Sequence, residues 1–350
     1  MKKRTFIISI LLSAIIVITL VASACGEAEP EEVIELKFGG AYPAEQVESQ
    51  VQIEWMQKIE EETDGRVHFT AFWAGALLSS ETNYSDLKAG VADVGNLTIL
   101  LTEPAGFPLS SLLEWAYAGV PNYTVARQIG EQIYEEFPEL QAEAAEVKSL
   151  SFLGYGSFWL HTTDKPINTL ADLDGLEIMP GPPTMGAVYE KFGVTPMMMP
   201  TMDFYSSLQK GIMAGLCCPM EGLTSMSWYE VTKYHTNLGS FSGPNGAPCL
   251  AMNLDTWNSL PSDIQQVFED NIDWYTTALI EAREAVDEEA ITFVSDLPDH
   301  EIITASAEDV AEFSDATFEV LLAQAAELDA TGLPATEMIN RVRELIEEYS

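Results

Sequence analysis

Between Leu170 and Pro219 the chain runs strand, helix, strand, helix, strand, and no other stretch restricts its fold so tightly. Gly175 to Met179 is a short apolar run stopped by Pro180-Gly181, which cannot continue a strand. Met185 to Phe192 has helical spacing, with Met185, Val188, Tyr189 and Phe192 on one face and Gly193 placed to end it. Val194 to Met199 reads as the second strand. Asp203 to Lys210 reads as the second helix, ended by Gly211, and Ile212 to Cys217 as the third strand. Strands joined by crossover helices are parallel, and such sheets bind ligands beyond the carboxyl ends of the strands. Those ends carry Met179-Pro180 and Cys217-Cys218.

At 350 residues the chain is long enough for two domains and a large core. Its formal charge of −39 repels nucleic acid, so no nucleic-acid partner is expected. Residues 1–25 read as a secretion signal. Lys2-Lys3-Arg4 is the charged start, Phe6 to Val21 the apolar run, and Ala22-Ser23-Ala24-Cys25 resembles a lipobox. A membrane-spanning anchor is the alternative, since the run approaches the ~20 residues a bilayer needs. The expectation is a lipoprotein, lipidated at Cys25 and held at a membrane surface, with residues 26–33 as a polar tether. Cys217, Cys218 and Cys249 remain, an odd set that leaves at least one thiol free or unusually paired. Nothing has the spacing of a zinc site, and no cofactor is expected.

Three blocks carry a resemblance. They are Asp172-Leu173-Asp174-Gly175-Leu176-Glu177-Ile178, then Pro196 to Gly211 with Asp203, Tyr205 and Leu208-Gln209, then Gly215 to Pro219. Their order resembles the solute-binding proteins of tripartite ATP-independent periplasmic (TRAP) transporters, of DctP type. The opening agrees: strand Ile34–Phe38, Tyr42-Pro43, helix Ser49–Glu61, Gly65-Arg66-Val67, Ala74-Gly75 and Gly90-Val91-Ala92-Asp93. So does Met252-Asn253 followed by Trp257 and Leu260-Pro261. The similarity covers most of the chain after residue 33.

The resemblance implies an α/β, two-domain, periplasmic-binding-protein-like clamshell with crossover strands and a long helix bridging both domains. Domain I takes residues 34–150 plus about 240–260, domain II residues 151–239, and residues 261–350 the bridging and C-terminal helices. Ser262 reads as the cap of a helix running to about Ser295. The implied function is capture of a small organic solute in an interdomain cleft and its delivery to TRAP membrane subunits, without catalysis. Candidate cleft residues are Tyr42, Trp73, Trp115, Tyr155, Trp159, Met179, Tyr205, Cys217, Cys218 and Glu221.

The departures from the family are informative. Trp159 and Met179 stand where most members carry arginines, the second of which is implied to clamp a solute carboxylate. Leu216, Cys217 and Cys218 replace polar residues of the last strand. No neutral side chain reproduces a guanidinium fork, so the solute is expected not to be a simple dicarboxylate. Glu221 is the one acid placed near the site.

Two alternatives stay open. An exported enzyme would use Cys217 or Cys218 as nucleophile. A soft-metal protein would use a cysteine with the methionines at 197–199, 202, 213 and 220. Adjacent cysteines on a strand point to opposite faces, so at most one meets the cleft. The histidines His68, His161, His235 and His300 are scattered in sequence and read as structural.

Overall fold

The computed structural model describes residues 33–79, 81–97, 106–114, 116–118, 120–154, 156–181, 185–242 and 247–349. The proposed signal, Cys25 and nearly all of the tether lie outside the described residues, as do Trp115 and Tyr155.

The first half of the chain supplies β1 (Ile34–Gly39), α1 (Val47–Glu62), β2 (Val67–Phe72), α2 (Asn83–Lys88), β3 (Val94–Asn96), α3 (Pro108–Leu113), β4 (Ala116–Ala118), α4 (Tyr123–Glu136), α5 (Pro138–Glu143) and β5 (Val147–Ser151). Next come β6 (Ser157–Thr162), β7 (Glu177–Met179), α6 (Gly186–Glu190), β8 (Thr195–Pro196), α7 (Phe204–Gln209), β9 (Gly215–Cys218) and α8 (Met220–Ser225). The last part holds β10 (Tyr234–Ser242), β11 (Leu250–Asn253), α9 (Leu254–Ser259), α10 (Ser262–Asp270), α11 (Ile272–Ser295), β12 (Glu301–Thr304), α12 (Ala307–Asp329) and α13 (Ala335–Tyr349).

The strands form two sheets. One has the order β2-β1-β3-β11-β5; the other runs β12-β10-β6-β9-β7-β8, with β4 added against β10. The strands between Leu170 and Pro219 lie in the second sheet, where β7 pairs in parallel with both β8 and β9. The apolar segment Ser149–His161 is divided between two strands. β5 belongs to the first sheet and β6 to the second, so the chain crosses between sheets through residues 152–156. It crosses back between β10 and β11.

The long helix also differs from expectation. It is broken at Asn271 into α10 and α11, and Pro261 rather than Ser262 takes the cap position, with no side-chain bond. The Asn271 amide turns back instead to the Val267 carbonyl and to Glu62. The 24 residues of α11 still span about 36 Å at 1.5 Å each. Its first half, with Tyr275, Leu279 and Ile280, is buried in the core of the first sheet. Its second half, with Ala290 and Val294, is buried with Trp159, Met179 and Cys218 against the second.

The anchor of that first half is aromatic. Val51, Trp55, Met56 and Ile59 form the buried face of α1. The Trp55 ring lies 5.9 Å from Phe69, 5.7 Å from Phe268 and 5.6 Å from Tyr275. Such pairs add about 0.5–1.5 kcal/mol each beyond the burial itself.

Three histidines scattered in sequence are joined in space. His161 Nε2 lies 3.1 Å from the Cys218 carbonyl oxygen, His161 Nδ1 2.9 Å from His235 Nδ1, and His235 Nε2 3.0 Å from His300 Nδ1. The carbonyl can only accept, so in the neutral chain His161 donates to it from Nε2 and accepts at Nδ1. His235 must then donate from Nδ1 and accept from His300. The direction of the whole chain follows from one peptide oxygen.

Candidate solute cleft

A cavity of about 490 Å³ opens between the two sheets, beyond the carboxyl ends of β1 and β9. The first sheet's side contributes Tyr42 from the loop after β1, and Gln46, Val47 and Glu48 at the start of α1. Tyr123 enters from the start of α4, where Asn122 caps the helix by accepting from the Val125 amide at 2.9 Å. The second sheet's side contributes Pro219 after β9, then Glu221, Ser225 and Met226. The wall between them is α11, which presents Arg283, Val286 and Asp287.

Arg283 is the basic group that the sequence reading did not place here. It is largely buried, its Nε lies 3.4 Å from Glu48 Oε1, and its Nη1 donates to the Gly154 carbonyl on the crossover. Asp287 accepts from the Tyr123 hydroxyl at 3.2 Å. Burial pushes the Asp287 carboxyl up to about 6, and burial followed by the field of Glu48 raises that of Glu221. Burial likewise raises the Tyr42 and Tyr123 hydroxyls, so both remain protonated donors at neutral pH. Glu221 is therefore not the one acid near the site: Glu48 and Asp287 share the cavity wall with it. A spacing of four residues on α11 puts Arg283 and Asp287 on one face, a signal that was present in the sequence. It had no partner there to give it meaning.

DctP, the bacterial extracellular solute-binding protein family 7, matches residues 38–327. The chain belongs to this family. A solute-binding protein of Roseobacter denitrificans is 26% identical over 222 residues, which is 62% of this chain and 66% of that protein. The chain thus spans just under two thirds of the length of that curated relative. A TRAP periplasmic solute binding protein from Desulfovibrio salexigens, crystallised as an open complex, superimposes with a TM-score of 0.77 at 25% identity, covering 91% of this chain and 97% of that one. One from Rhodoferax ferrireducens, crystallised with copurified benzoate, shares the fold at 23% identity with a TM-score of 0.71, over 90% and 98% of the two chains.

Within this DctP-family fold the residues singled out by sequence separate into groups. Tyr42 and Glu221 line the cavity. Trp159, Met179 and Cys218 are buried together in one cluster on the α11-facing side of the second sheet, where Trp159 and Cys218 are direct strand neighbours. Cys217 points the other way, into the opposite core, where the Tyr189 hydroxyl lies 3.4 Å from its sulfur. Burial pushes the Cys217 thiol up to about 12 and raises that of Cys218 well above its usual range. Trp73 packs on Phe38 at 5.6 Å and over Gly40, where an added Cβ would meet the ring at 2.2 Å. Tyr205 donates to Glu230 at 2.8 Å on the surface, away from the cavity wall. The three cysteines are all free thiols. Among the described residues no group of three or more His, Cys, Asp or Glu side chains is arranged to hold a metal ion.

Proposed function

We propose that this chain is an extracytoplasmic solute-binding protein that captures a small organic solute between its two sheets and delivers it to TRAP-type membrane subunits. The observation that carries the reading is the cavity itself. It has the size of a small-molecule site, is lined from both sheets, and is backed by a helix buried in both cores. Closure about the two strand crossovers would enclose the solute. Lipidation at Cys25 would keep the protein at the membrane surface beside its transporter.

The solute is not a simple dicarboxylate on this reading. Met179 and Trp159 are buried apolar neighbours, and the cleft arginine already faces Glu48 and Gly154. Burying a second carboxylate without a cation is costly. The thiol-enzyme alternative gains no support, because burial holds both thiols of the Cys217-Cys218 pair protonated.

The test uses mature protein from about Glu31, unfolded and refolded to remove carried-over solute, then screened for raised melting temperature. The panel sets mono- and dicarboxylates against neutral aromatics and amines. A shift with aromatics or amines but not dicarboxylates is expected. A dicarboxylate giving the largest shift would refute this solute assignment. For the anchor, Cys25→Ala is expected to move the protein from the membrane fraction to the soluble one.

A further inference from the structure

We propose that the solute carries a cationic nitrogen, seated between Asp287 and Glu221 and flanked by the rings of Tyr42 and Tyr123. This rests on the solute-capture reading and adds to it the charge of the solute.

Charge balance across the cavity leads there. Among the described residues its wall holds the acids Glu48, Glu221 and Asp287 against a single base, Arg283. Arg283 and Glu48 face each other from the α11 and α1 sides, and the guanidinium also donates to Gly154. This pair cancels its own charge. Asp287 is left with a neutral donor, the Tyr123 hydroxyl at 3.2 Å, and the Ser225 hydroxyl beside Glu221 turns to the Gly222 carbonyl. Among the described residues neither carboxylate belongs to an ion pair.

Glu221 raises the cost of ionising Asp287, Glu48 raises that of ionising Glu221, and the field of Arg283 at both is outweighed by burial. A cation between them would relieve that repulsion and donate two charge-assisted hydrogen bonds. An anion would add a further like charge to the same wall. The remaining lining suits such a ligand: Tyr42 and Tyr123 bring aromatic rings, whose π-systems attract ammonium groups, and Val47, Val286 and Met226 offer apolar surface for its body.

A matched set of ligands tests this by calorimetry on the stripped, refolded chain at pH 7.5. Phenethylamine carries the cation alone, 3-phenylpropionate the carboxylate alone, and phenylalanine both. Succinate is the dicarboxylate. Phenethylamine is expected to bind at least about tenfold more tightly than 3-phenylpropionate or succinate, the ratio expected for one charged hydrogen bond. Asp287→Asn and Glu221→Gln should each weaken it by about tenfold or more, while the melting temperature of the free protein holds or rises. Two variants are used so that one misfolded protein cannot decide the matter. Tighter binding by phenylalanine would keep the nitrogen seat and add a carboxylate seat at Arg283.

Tighter binding by 3-phenylpropionate or succinate, or amine binding unaffected by both substitutions, would overturn the charge assignment and leave solute capture standing. If none of the four binds, and nothing in the wider screen raises the melting temperature, solute capture falls as well.

Discussion

The Cα of Gly156 lies so close to the side chain of Tyr123 that a Cβ built on it would sit 2.1 Å from the phenolic oxygen. Gly156 also has φ of 101°, a conformation that side-chain-bearing residues rarely adopt. It sits on the crossover just before β6, two residues after the carbonyl that takes Arg283. Gly156→Ala is therefore expected to strain the crossover and push the Tyr123 hydroxyl off Asp287. The expected cost is about 1–3 kcal/mol of stability, read by urea unfolding. Tyr123→Phe removes the hydroxyl without the strain and separates the two effects. If Gly156→Ala is as stable as the parent, the close approach is not maintained in solution.

Acidification should act on the histidine chain and on the cleft in opposite senses. Burial pushes His161 down to about 4, against about 6.5 in an unfolded chain. Between these values the unfolded chain binds the extra proton, so this histidine's contribution to stability is present above about 6.5 and is lost as pH falls toward 4. Asp287 runs the other way. Its carboxyl, raised from 3.8 to about 6, contributes stability at low pH that is lost as pH rises through about 6. Asp287→Asn removes the opposing contribution. That variant should show a steeper loss of stability than the parent from pH 6.5 to 4. Equal slopes in denaturant titrations of the two proteins would refute the assignment for Asp287.

The adjacent cysteines should be nearly silent toward a thiol reagent. The thiolate is the reactive form, and burial keeps both as thiols at pH 8. In the native protein Cys217 and Cys218 are expected to react orders of magnitude more slowly than after unfolding in guanidinium. Mass mapping of the labelled positions would read this. Rapid native labelling at Cys218 would reopen the thiol-enzyme alternative.

Trp55 ties α1, β2, α10 and α11 into one aromatic cluster and is fully buried. Trp55→Ala should cost about 3–5 kcal/mol, the range for emptying a buried aromatic site. Because α11 is held at this end, the same substitution is expected to weaken solute binding, although Trp55 touches no part of the cavity. A variant that loses stability but binds normally would show that α11 is positioned from its other end.

Local pattern determined a great deal here. The helix face of Val51, Trp55, Met56 and Ile59 and the parallel strands β7 and β9 follow from short-range spacing and turn residues, which act within a few residues of one another. The opposed faces of Cys217 and Cys218 follow from the strand repeat alone. The family was legible because its motifs lie in such local runs. Tertiary structure decided whatever depended on partners far apart in the chain. The break at Asn271 answers to Glu62, more than two hundred residues earlier. The three joined histidines come from β6, β10 and the approach to β12, and only strand order brings them side by side. The four-residue spacing of Arg283 and Asp287 was visible in sequence but had no meaning there, because Glu48, Tyr123 and Glu221 reach them from other elements. A residue's neighbours within one helix or strand are set by its periodicity. The charge balance of a cleft is set by which elements the fold brings to it, and no local spacing encodes that.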